Sequence, residues 1–495
     1  MRYTRVLITL CLTLSFISLN GCAQSSSNGS QSASNSEIPS DSVESDLPET
    51  LASESSEEAV ISDVTILPQS CRDDYTGLVI LDDEENEVVR CSNSKEAQDK
   101  LNHFLQAMVA QLSVDLQKES RIGEAEAEDI VFNRRTRIFS TMNQNMQEIM
   151  ERVISDAVYY PEEADFDLQS AMVIIDYQTG QVKALSGSRD KDYAGVNRAT
   201  NIVRQPGSTF HVLAGYAPAM DMGLINADSI VVDEPYNING FEPHNWWGTS
   251  YKGEVSVRES IAISANIIAL KIGVEAGIDN CLNYVQQFGF TSVILSDTIN
   301  GATYTDSNAS LVLGGLTYGV NLLEHTAAFS AIANDGVCNT SILYTRVYDN
   351  AGREVLLKES SSHQVLRKET ANNLTDIMCG VVSAPYGTGR KAGFQDLNIP
   401  VAGKTSVGAG FSWDTKDLNF IGYTPYYAAG IWSGYDELTD QQAINEIGSS
   451  IRPMNFVNQQ YILDIWRDVM EEIHKELNLP EKSFPFTIND PVSLE

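Results

Sequence analysis

The chain has 495 residues, of which 42% are hydrophobic and 8% aromatic. This composition supports a large buried core and excludes both a chain that is disordered throughout and a small disulfide-stabilised scaffold. The formal net charge of -34 at pH 7 argues against a nucleic-acid partner, because binding to a phosphate backbone depends on clustered Lys and Arg side chains.

The first 22 residues predict a signal peptide. Arg2 and Arg5 precede an apolar run over residues 6–19, which is shorter than the roughly 20 residues that a membrane-spanning helix needs. The run ends in residues 19–22 (LNGC), a sequence that resembles the lipobox of bacterial lipoproteins, where the cysteine becomes the lipidated N-terminus. We therefore expect Cys22 to carry lipid and to anchor the protein to the outer face of the cell membrane. The alternative is ordinary signal cleavage, with Cys22 as a bystander.

An acidic, Ser-rich segment follows, and residues 23–60 predict a disordered tether. Residues 23–70 contain nine acidic residues and no Lys or Arg. Such a segment cannot bury enough apolar surface to offset the entropy of ordering the chain.

A hairpin is predicted from Tyr75–Leu81 and Glu87–Cys91, which flank an acidic turn. Cys71 and Cys91 lie at its two ends, in a compartment that permits oxidation. A turn centred in the acidic segment puts Cys91 opposite Gly77, so a disulfide between the two cysteines stays an open prediction.

Residues 61–165 predict a small N-terminal α/β linker region. Apolar residues recur every three or four positions in Ser92–Ser120, which favours an amphipathic helix. A short strand, Thr136–Thr141, and a second helix, Asn143–Val158, follow. Neither segment contains a set of catalytic residues.

Residues 166–480 predict one α+β domain, and residues 481–495 a C-terminal tail. Ala171–Asp176 and Gln181–Ser186 are typical of two strands joined by a tight turn, in which Gly180 supplies a positive φ. Strands near both ends of the domain, with helices between them, indicate a sheet closed by segments distant in sequence. The remaining predicted elements are the helices Thr209–Met220, Val257–Val274 and Thr317–Asn334, the strands Val401–Ser406, Asn419–Thr424 and Tyr427–Tyr435, and a closing helix with Trp466, Val469, Met470 and Ile473 on one face.

Ser208 stands at the predicted start of a helix, after Pro206 and Gly207. The free N–H groups and the positive end of the helix dipole lower the energy of an alkoxide there. His211 lies one turn further on, on the same face, where it can exchange a proton with the serine oxygen. An N-cap role for Ser208 is the alternative that its position alone favours.

Three segments and their flanks form a pattern: residues 204–210 (RQPGSTF) with 197–200 (NRAT), residues 264–266 (SAN) with 257–263 (VRESIAI), and residues 402–406 (AGKTS) with 417–425 (DLNFIGYTP) and 430–435 (GIWSGY). In this order they resemble the Ser-x-x-Lys, Ser-x-Asn and Lys-Thr-Gly motifs of penicillin-binding proteins, specifically the transpeptidase half of the class A enzymes. The resemblance covers residues 137–486. It starts at residues 137–142 (RIFSTM), and the space before them is too short for the class A glycosyltransferase domain, which we expect to be absent.

The resemblance implies a penicillin-binding protein/serine β-lactamase-like fold, an antiparallel sheet flanked by helices. It also implies acyl-enzyme chemistry on the D-Ala-D-Ala amide of peptidoglycan stem peptides or on a β-lactam. The backbone N–H groups of the serine and of a residue just past the third motif would form the oxyanion hole. The implied roles are Ser208 as nucleophile, Ser264 as proton relay, Asn266 as binder of the substrate amide, and Lys404 and Thr405 as binders of its carboxylate.

Two positions depart from the family motifs. His211 stands at the lysine of Ser-x-x-Lys, where a neutral imidazole is a shorter base with fewer donors. Ser406 stands at the glycine of Lys-Thr-Gly, where it adds a Cβ and a hydroxyl beside the path of the substrate backbone.

Three interpretations stay open at this point. The protein is an active transpeptidase or carboxypeptidase with a His base, an inactive member of the family that binds peptidoglycan or regulates its synthesis, or a β-lactamase-like serine hydrolase. Peptidoglycan stem peptides, β-lactams, the membrane and cell-wall synthesis proteins are the expected partners. No cofactor is predicted, and no metal, because the six His residues are scattered and no Cys-x-x-Cys pair occurs.

Overall fold

The computed structural model describes residues 77–164, 167–190, 195–299, 301–409, 415–437, 451–454 and 460–485. All of them belong to one compact unit, Ser62–Glu495. The predicted signal peptide, the acidic tether, Cys22 and Cys71 lie outside the described residues. Among the described residues, no helix has the length and apolar character needed to cross a bilayer.

The helices of the described part are α1 (Ser94–Lys100), α2 (His103–Ser120), α3 (Glu124–Asn133), α4 (Gln144–Ser155), α5 (Ala217–Asp221), α6 (Val257–Ala262), α7 (Asn266–Ala276), α8 (Ile278–Gln287), α9 (Leu322–Ala333), α10 (Lys368–Ser383) and α11 (Tyr461–Glu476). The strands are β1 (Leu78–Leu81), β2 (Glu87–Cys91), β3 (Arg137–Ser140), β4 (Gln169–Asp176), β5 (Gln181–Ser186), β6 (Ile230–Asp233), β7 (Gly253–Ser256), β8 (Asp297–Ile299), β9 (Ala302–Tyr304), β10 (Val337–Asn339), β11 (Tyr344–Tyr348), β12 (Glu354–Leu357), β13 (Ser362–Gln364), β14 (Ala402–Ala409), β15 (Thr415–Tyr423) and β16 (Ala428–Gly434).

The central sheet has the strand order β14-β15-β16-β4-β5, and every neighbouring pair is antiparallel. Its five strands come from both ends of residues 166–480, which confirms the predicted α+β fold. Strand β14, which carries the third motif, is one edge of this sheet. A free edge of this kind leaves backbone N–H and C=O groups available to an extended peptide.

Both faces of the central sheet are covered by helices. Successive residues of a strand point to opposite faces, so neighbouring residues of β4 pack against different helices. On β4, Ala171, Val173 and Ile175 join one hydrophobic cluster with residues of α9 and α10. Met172 and Ile174 join a second cluster with residues of α4 and α11. The sheet is therefore the middle layer between two groups of helices.

A second five-stranded sheet, β12-β11-β3-β1-β2, organises the N-terminal region. The predicted hairpin is confirmed as β1 and β2, but Cys91 pairs with Leu78 and not with Gly77. The Cys91 thiol is buried and free. Strands β11 and β12 come from residues 344–357, so a later part of the chain completes this sheet.

Several predicted helices differ from the observed ones. The predicted helix Ser92–Ser120 is two helices, because Asn102 accepts a hydrogen bond from the backbone of Leu105 and caps the start of α2. The predicted helix Val257–Val274 is likewise interrupted between α6 and α7, where Ser264 has a φ of +58°. The predicted helix Thr209–Met220 begins as a 3-10 turn and continues as a π-helical segment before α5.

Candidate active site

Ser208 lies in a 3-10 turn, Gly207–Thr209, directly before the π-helical segment His211–Tyr216. Its side chain is half-buried. The Thr209 hydroxyl donates to the Pro206 carbonyl at 2.8 Å, which closes the turn around the serine. Within the described part of the chain, no group hydrogen-bonds to the Ser208 hydroxyl, so this oxygen is free to meet a substrate.

The loop before Ser208 is held from two sides. Gln205 both donates to the Leu316 carbonyl and accepts from the Leu316 N–H, each at 2.9 Å. Arg204 donates to Asp417 on β15 at 2.6 Å, and both side chains of this ion pair are buried. The indole of Trp432 donates to the same carboxylate at 2.9 Å. These contacts hold the turn of Ser208 against the central sheet.

Gly207 brings the turn into close contact with β14. Its φ is +53°, and an added Cβ would lie 2.4 Å from the Ser406 Oγ and 2.7 Å from the Val407 carbonyl oxygen. No side chain fits in that space, so this position requires glycine. The backbone of Ser208 therefore lies beside the residue that directly follows the third motif.

Ser406 points into this contact and not toward the solvent. Its side chain is buried, and its hydroxyl donates to the Pro206 carbonyl at 2.5 Å. The departure from glycine at this position therefore ties β14 to the turn that carries Ser208.

Ser264 and Lys404 form the second half of the site. The Lys404 Nζ lies 2.8 Å from the Ser264 Oγ and 2.8 Å from the Thr405 carbonyl oxygen. Lys404 is fully buried, and burial lowers the pKa of its amine from 10.5 to about 7. Ser264 adopts a left-handed backbone conformation that non-glycine residues rarely take, an arrangement that clusters at functional sites.

His211 is buried within the domain. Its side chain is 1% exposed, and neither ring nitrogen has a hydrogen-bond partner among the described residues. Burial, and secondly the positive charge of Lys404, hold its pKa well below the usual 6.5. The imidazole is therefore neutral at physiological pH, and the structure does not bring it into a hydrogen bond with Ser208.

Asn266 and Thr405 belong to the second and third motifs. Asn266, the first residue of α7, is half-buried, and its Nδ2 donates to the His244 carbonyl at 2.8 Å, which leaves its Oδ1 available. The Thr405 hydroxyl lies 2.6 Å from that of Thr388. The sequence reasoning missed Thr388, although the signal was present: a Gly-Thr-Gly stretch in a loop, where glycines permit close backbone approach.

Trp246 is a surface residue next to the second motif. It is 65% exposed, which excludes a core role, and its indole donates to the Ile263 carbonyl at 2.9 Å, one residue before Ser264. Its ring packs edge-on against Trp247 with a centroid distance of 5.6 Å. Trp246 therefore lies beside the segment that carries Ser264.

No group of three His, Cys, Asp or Glu side chains among the described residues has metal-binding geometry. The site instead offers one unbonded serine, a buried Ser–Lys pair, and threonine and asparagine side chains around a strand edge. Serine nucleophiles with a nearby amine are the chemistry of acyl transfer.

Comparison with known proteins agrees with this geometry. Residues 170–454 match the family described as "Penicillin binding protein transpeptidase domain". Penicillin-binding protein 1A of Clostridium perfringens (strain 13 / Type A) is 32% identical over 368 residues, which are 70% of this chain and 52% of the relative. Penicillin-binding protein 1F of Bacillus subtilis (strain 168) is 32% identical over 309 residues, which are 62% of this chain and 41% of the relative. The chain spans about half the length of the curated relatives it matches.

Solved structures show the same fold. The penicillin-binding protein PonA1 from Mycobacterium tuberculosis superimposes with a TM-score of 0.62 at 20% identity, covering 79% of this chain and 98% of that chain. A structure of PonA1 in complex with penicillin V gives a TM-score of 0.61 at 22% identity, covering 77% of this chain and 95% of that chain. The fold, the motif positions and the match over residues 170–454 lead to one conclusion: the chain belongs to the penicillin-binding protein transpeptidase family.

Proposed function

We propose that this protein acts in peptidoglycan synthesis and forms an acyl-enzyme at Ser208 with the D-Ala-D-Ala end of a stem peptide, and that β-lactams acylate the same serine. The observation that carries the proposal is the convergence of three distant segments on strand β14. Lys404 of this strand bonds Ser264, and Ser406, two residues along, bonds the turn that carries Ser208.

Each remaining group has a role in this reaction. The backbone N–H groups of Ser208 and Val407 are the candidates for an oxyanion hole, because the close approach of Gly207 to Val407 sets the two segments side by side. The hydroxyl pair of Thr405 and Thr388 offers donors to the substrate carboxylate. Asn266 presents an amide oxygen to a substrate N–H.

Covalent labelling with a fluorescent penicillin tests the proposal. We expect a labelled band whose modified peptide, identified by mass spectrometry, contains Ser208, and we expect Ser208→Ala to abolish the label. Ser360→Ala is the matched control, because Ser360 is half-buried, as Ser208 is, and its hydroxyl bonds the Thr340 carbonyl and not a motif residue. A D-Ala-D-Ala peptide should compete with the label. Labelling that persists in Ser208→Ala would contradict the proposal.

A second candidate function is a non-catalytic family member that binds peptidoglycan or synthesis proteins. The observation that favours it is His211, because neither of its ring nitrogens has a hydrogen-bond partner among the described residues. This candidate predicts no labelling between pH 5 and 10 together with reversible binding of a D-Ala-D-Ala peptide.

For location, we propose a lipid anchor at Cys22 on the outer face of the cell membrane. The supporting sequence is the lipobox-like LNGC after an apolar run, and a multi-chain lipid anchor binds a bilayer far more stably than a single acyl chain. Replacing Cys22 with Ser should move the protein from the membrane fraction to the medium. Retention in the membrane fraction would contradict the anchor.

A further inference from the structure

Lys404 has fewer hydrogen-bond partners than an ammonium group requires. An ammonium carries three N–H donors and has no lone pair. Among the described residues, the Nζ has two partners, the Ser264 Oγ and the Thr405 carbonyl oxygen. A neutral amine suits this pair better, because its two N–H donors match the two acceptors and its lone pair stays free to take a proton.

The titratable groups packed against β14 either have partners other than Lys404 or are neutral. On β15 and α10, the two elements packed most closely against β14, the buried titratable residues are Asp417, Tyr423, Asp376 and Cys379. Asp417 pairs with Arg204, and Asp376 pairs with Arg258. The Tyr423 hydroxyl bonds Thr375, and burial keeps the Cys379 thiol neutral by raising its pKa to about 12. No carboxylate of the described residues is therefore paired with Lys404, which agrees with a lowered pKa that arises from burial.

His211 does not replace Lys404 in this role. Its imidazole is buried without a polar contact, and its protonation would place a second positive charge near Lys404. Ser264, in contrast, is bonded to Lys404, and its hydroxyl oxygen has a further lone pair that can accept a proton from Ser208.

We propose that Lys404, acting through the Ser264 hydroxyl, is the group that accepts the Ser208 proton during acylation, and that His211 is a neutral packing residue. This inference rests on the acyl-serine function proposed above. The base is then Lys404 on β14 and not His211, which lies one turn after Ser208.

Ser208 Oγ bonds to the substrate carbonyl carbon, and the π electron pair of the C=O bond moves onto the carbonyl oxygen, which becomes an oxyanion. The Ser208 proton passes to the Ser264 Oγ, and the Ser264 proton passes to the lone pair of the Lys404 amine, which becomes an ammonium. The oxyanion then re-forms the C=O bond as the C–N bond breaks. When the C–N bond breaks, the leaving nitrogen takes a proton from Ser264, and Lys404 returns one to Ser264. The products are the acyl-enzyme, the free amine and a neutral Lys404.

The pH profile of acylation by a fluorescent penicillin tests this route. In the wild type, the second-order rate constant should rise with pH through an inflection near 7, since it reports the free enzyme. The first-order acylation constant should inflect at a higher pH, because the bound carboxylate favours the ammonium form.

Lys404→Arg keeps a positive charge but removes the titrating amine. It should lower the acylation constant by about 100-fold and abolish the inflection, with the affinity of the initial complex changed only a few-fold. Lys368→Arg is the matched control, since Lys368 is exposed at the start of α10. In His211→Gln the inflection should remain near pH 7.

Ser264→Ala is a second test that does not depend on the folding of Lys404→Arg. It leaves Lys404 in place and should also lower the acylation constant by about 100-fold and abolish the inflection. An inflection that is lost in His211→Gln and kept in Ser264→Ala or Lys404→Arg would overturn the inference while the acyl-serine function stands. A wild type that is not labelled at any pH would overturn the proposed function itself.

Discussion

The two serines of the cleft lie in contrasting surroundings. Ser264 is buried, sits in a left-handed backbone conformation, and is bonded to a fully buried lysine. Ser208 is half-buried and has no hydrogen bond to its hydroxyl from any described residue. One turn later comes His211, a buried histidine whose ring nitrogens have no hydrogen-bond partner among the described residues. One serine therefore has a polar side-chain partner in the structure, and the other has none among the described residues.

The difference follows from what each half packs against. Lys404 extends from β14, and its amine donates to the Ser264 hydroxyl and to the Thr405 carbonyl. His211 is 1% exposed and has no hydrogen-bond partner among the described residues, and a charged side chain in such a place is costly unless it is paired. The buried amine of Lys404 therefore lowers the stability of the folded protein when it is charged. The neutral ring of His211 limits this loss, because it adds no second positive charge.

The largest expected effect is on stability, from Lys404→Met. The folded pKa, about 7, lies below the unfolded value of 10.5, so between these pH values the unfolded chain binds a proton that the folded chain does not, and stability rises with pH. Below pH 7 the buried Lys404 amine is charged in the folded state, which then carries the full free-energy cost of desolvating an ammonium. We expect Lys404→Met to raise the free energy of unfolding at pH 6 by about 2–5 kcal/mol, measured by urea unfolding.

The gain from Lys404→Met should shrink as the pH increases from 7 to 10. Lys368→Met is the control and should show no such trend, because the side chain of Lys368 is 66% exposed. A gain for Lys404→Met that is the same at pH 6 and at pH 10 would show that the lysine is not desolvated in the folded protein.

His211→Met should have a smaller effect of the same sign. The imidazole buries two ring nitrogens without partners, and an unsatisfied buried polar group costs about 1–3 kcal/mol. Because its folded pKa lies well below 6.5, the wild type also loses stability as the pH falls below about 6.5, where the unfolded histidine takes up a proton. The variant should be more stable by about 2 kcal/mol at pH 7 and by more at pH 5.

His325 gives a matched control for this measurement. It is equally buried, packs against Phe210, Phe290 and Phe329, and has its pKa lowered to about 3 by burial alone. His325→Met should show the same acid-side gain but no coupling with Lys404→Met in a double-mutant cycle. Equal coupling energies of His211 and His325 with Lys404 would show that His211 has no specific interaction with Lys404.

The sequence predicted the sheet well and the site only in part. Strands β4 and β5 follow from short segments rich in apolar residues on either side of the Gly180 turn, and both are confirmed. The break between α6 and α7 was missed because apolar spacing continues across Ser264, whereas the break depends on one left-handed residue. The bond from Lys404 to Ser264 and the contact of Ser406 with Pro206 join residues far apart in sequence, so no local pattern could specify them.

His211→Lys restores the residue that the family resemblance implies, and it tests whether the two halves communicate. A second amine beside Lys404 disfavours the charged form of both, because like charges raise the energy of the doubly protonated state. The inflection of acylation assigned to Lys404 should therefore move to lower pH by about one unit, an effect equivalent to about 1.4 kcal/mol. An inflection that stays near pH 7 or moves upward would show that the two positions titrate independently.

The smallest effect is expected at Ser406, the residue that joins the two halves. Ser406→Gly removes the hydrogen bond to the Pro206 carbonyl at 2.5 Å and adds backbone freedom to an edge strand, which together should lower stability by about 1 kcal/mol. Ser406→Ala separates the two causes, because it removes the hydroxyl but keeps the Cβ. Both variants should change acylation only a few-fold, measured with a fluorescent penicillin. A gain of tenfold or more in Ser406→Gly alone would instead show that the Ser406 side chain obstructs the substrate, and that the Ser208 half of the cleft is limited by space and not by the loss of a polar partner at position 211.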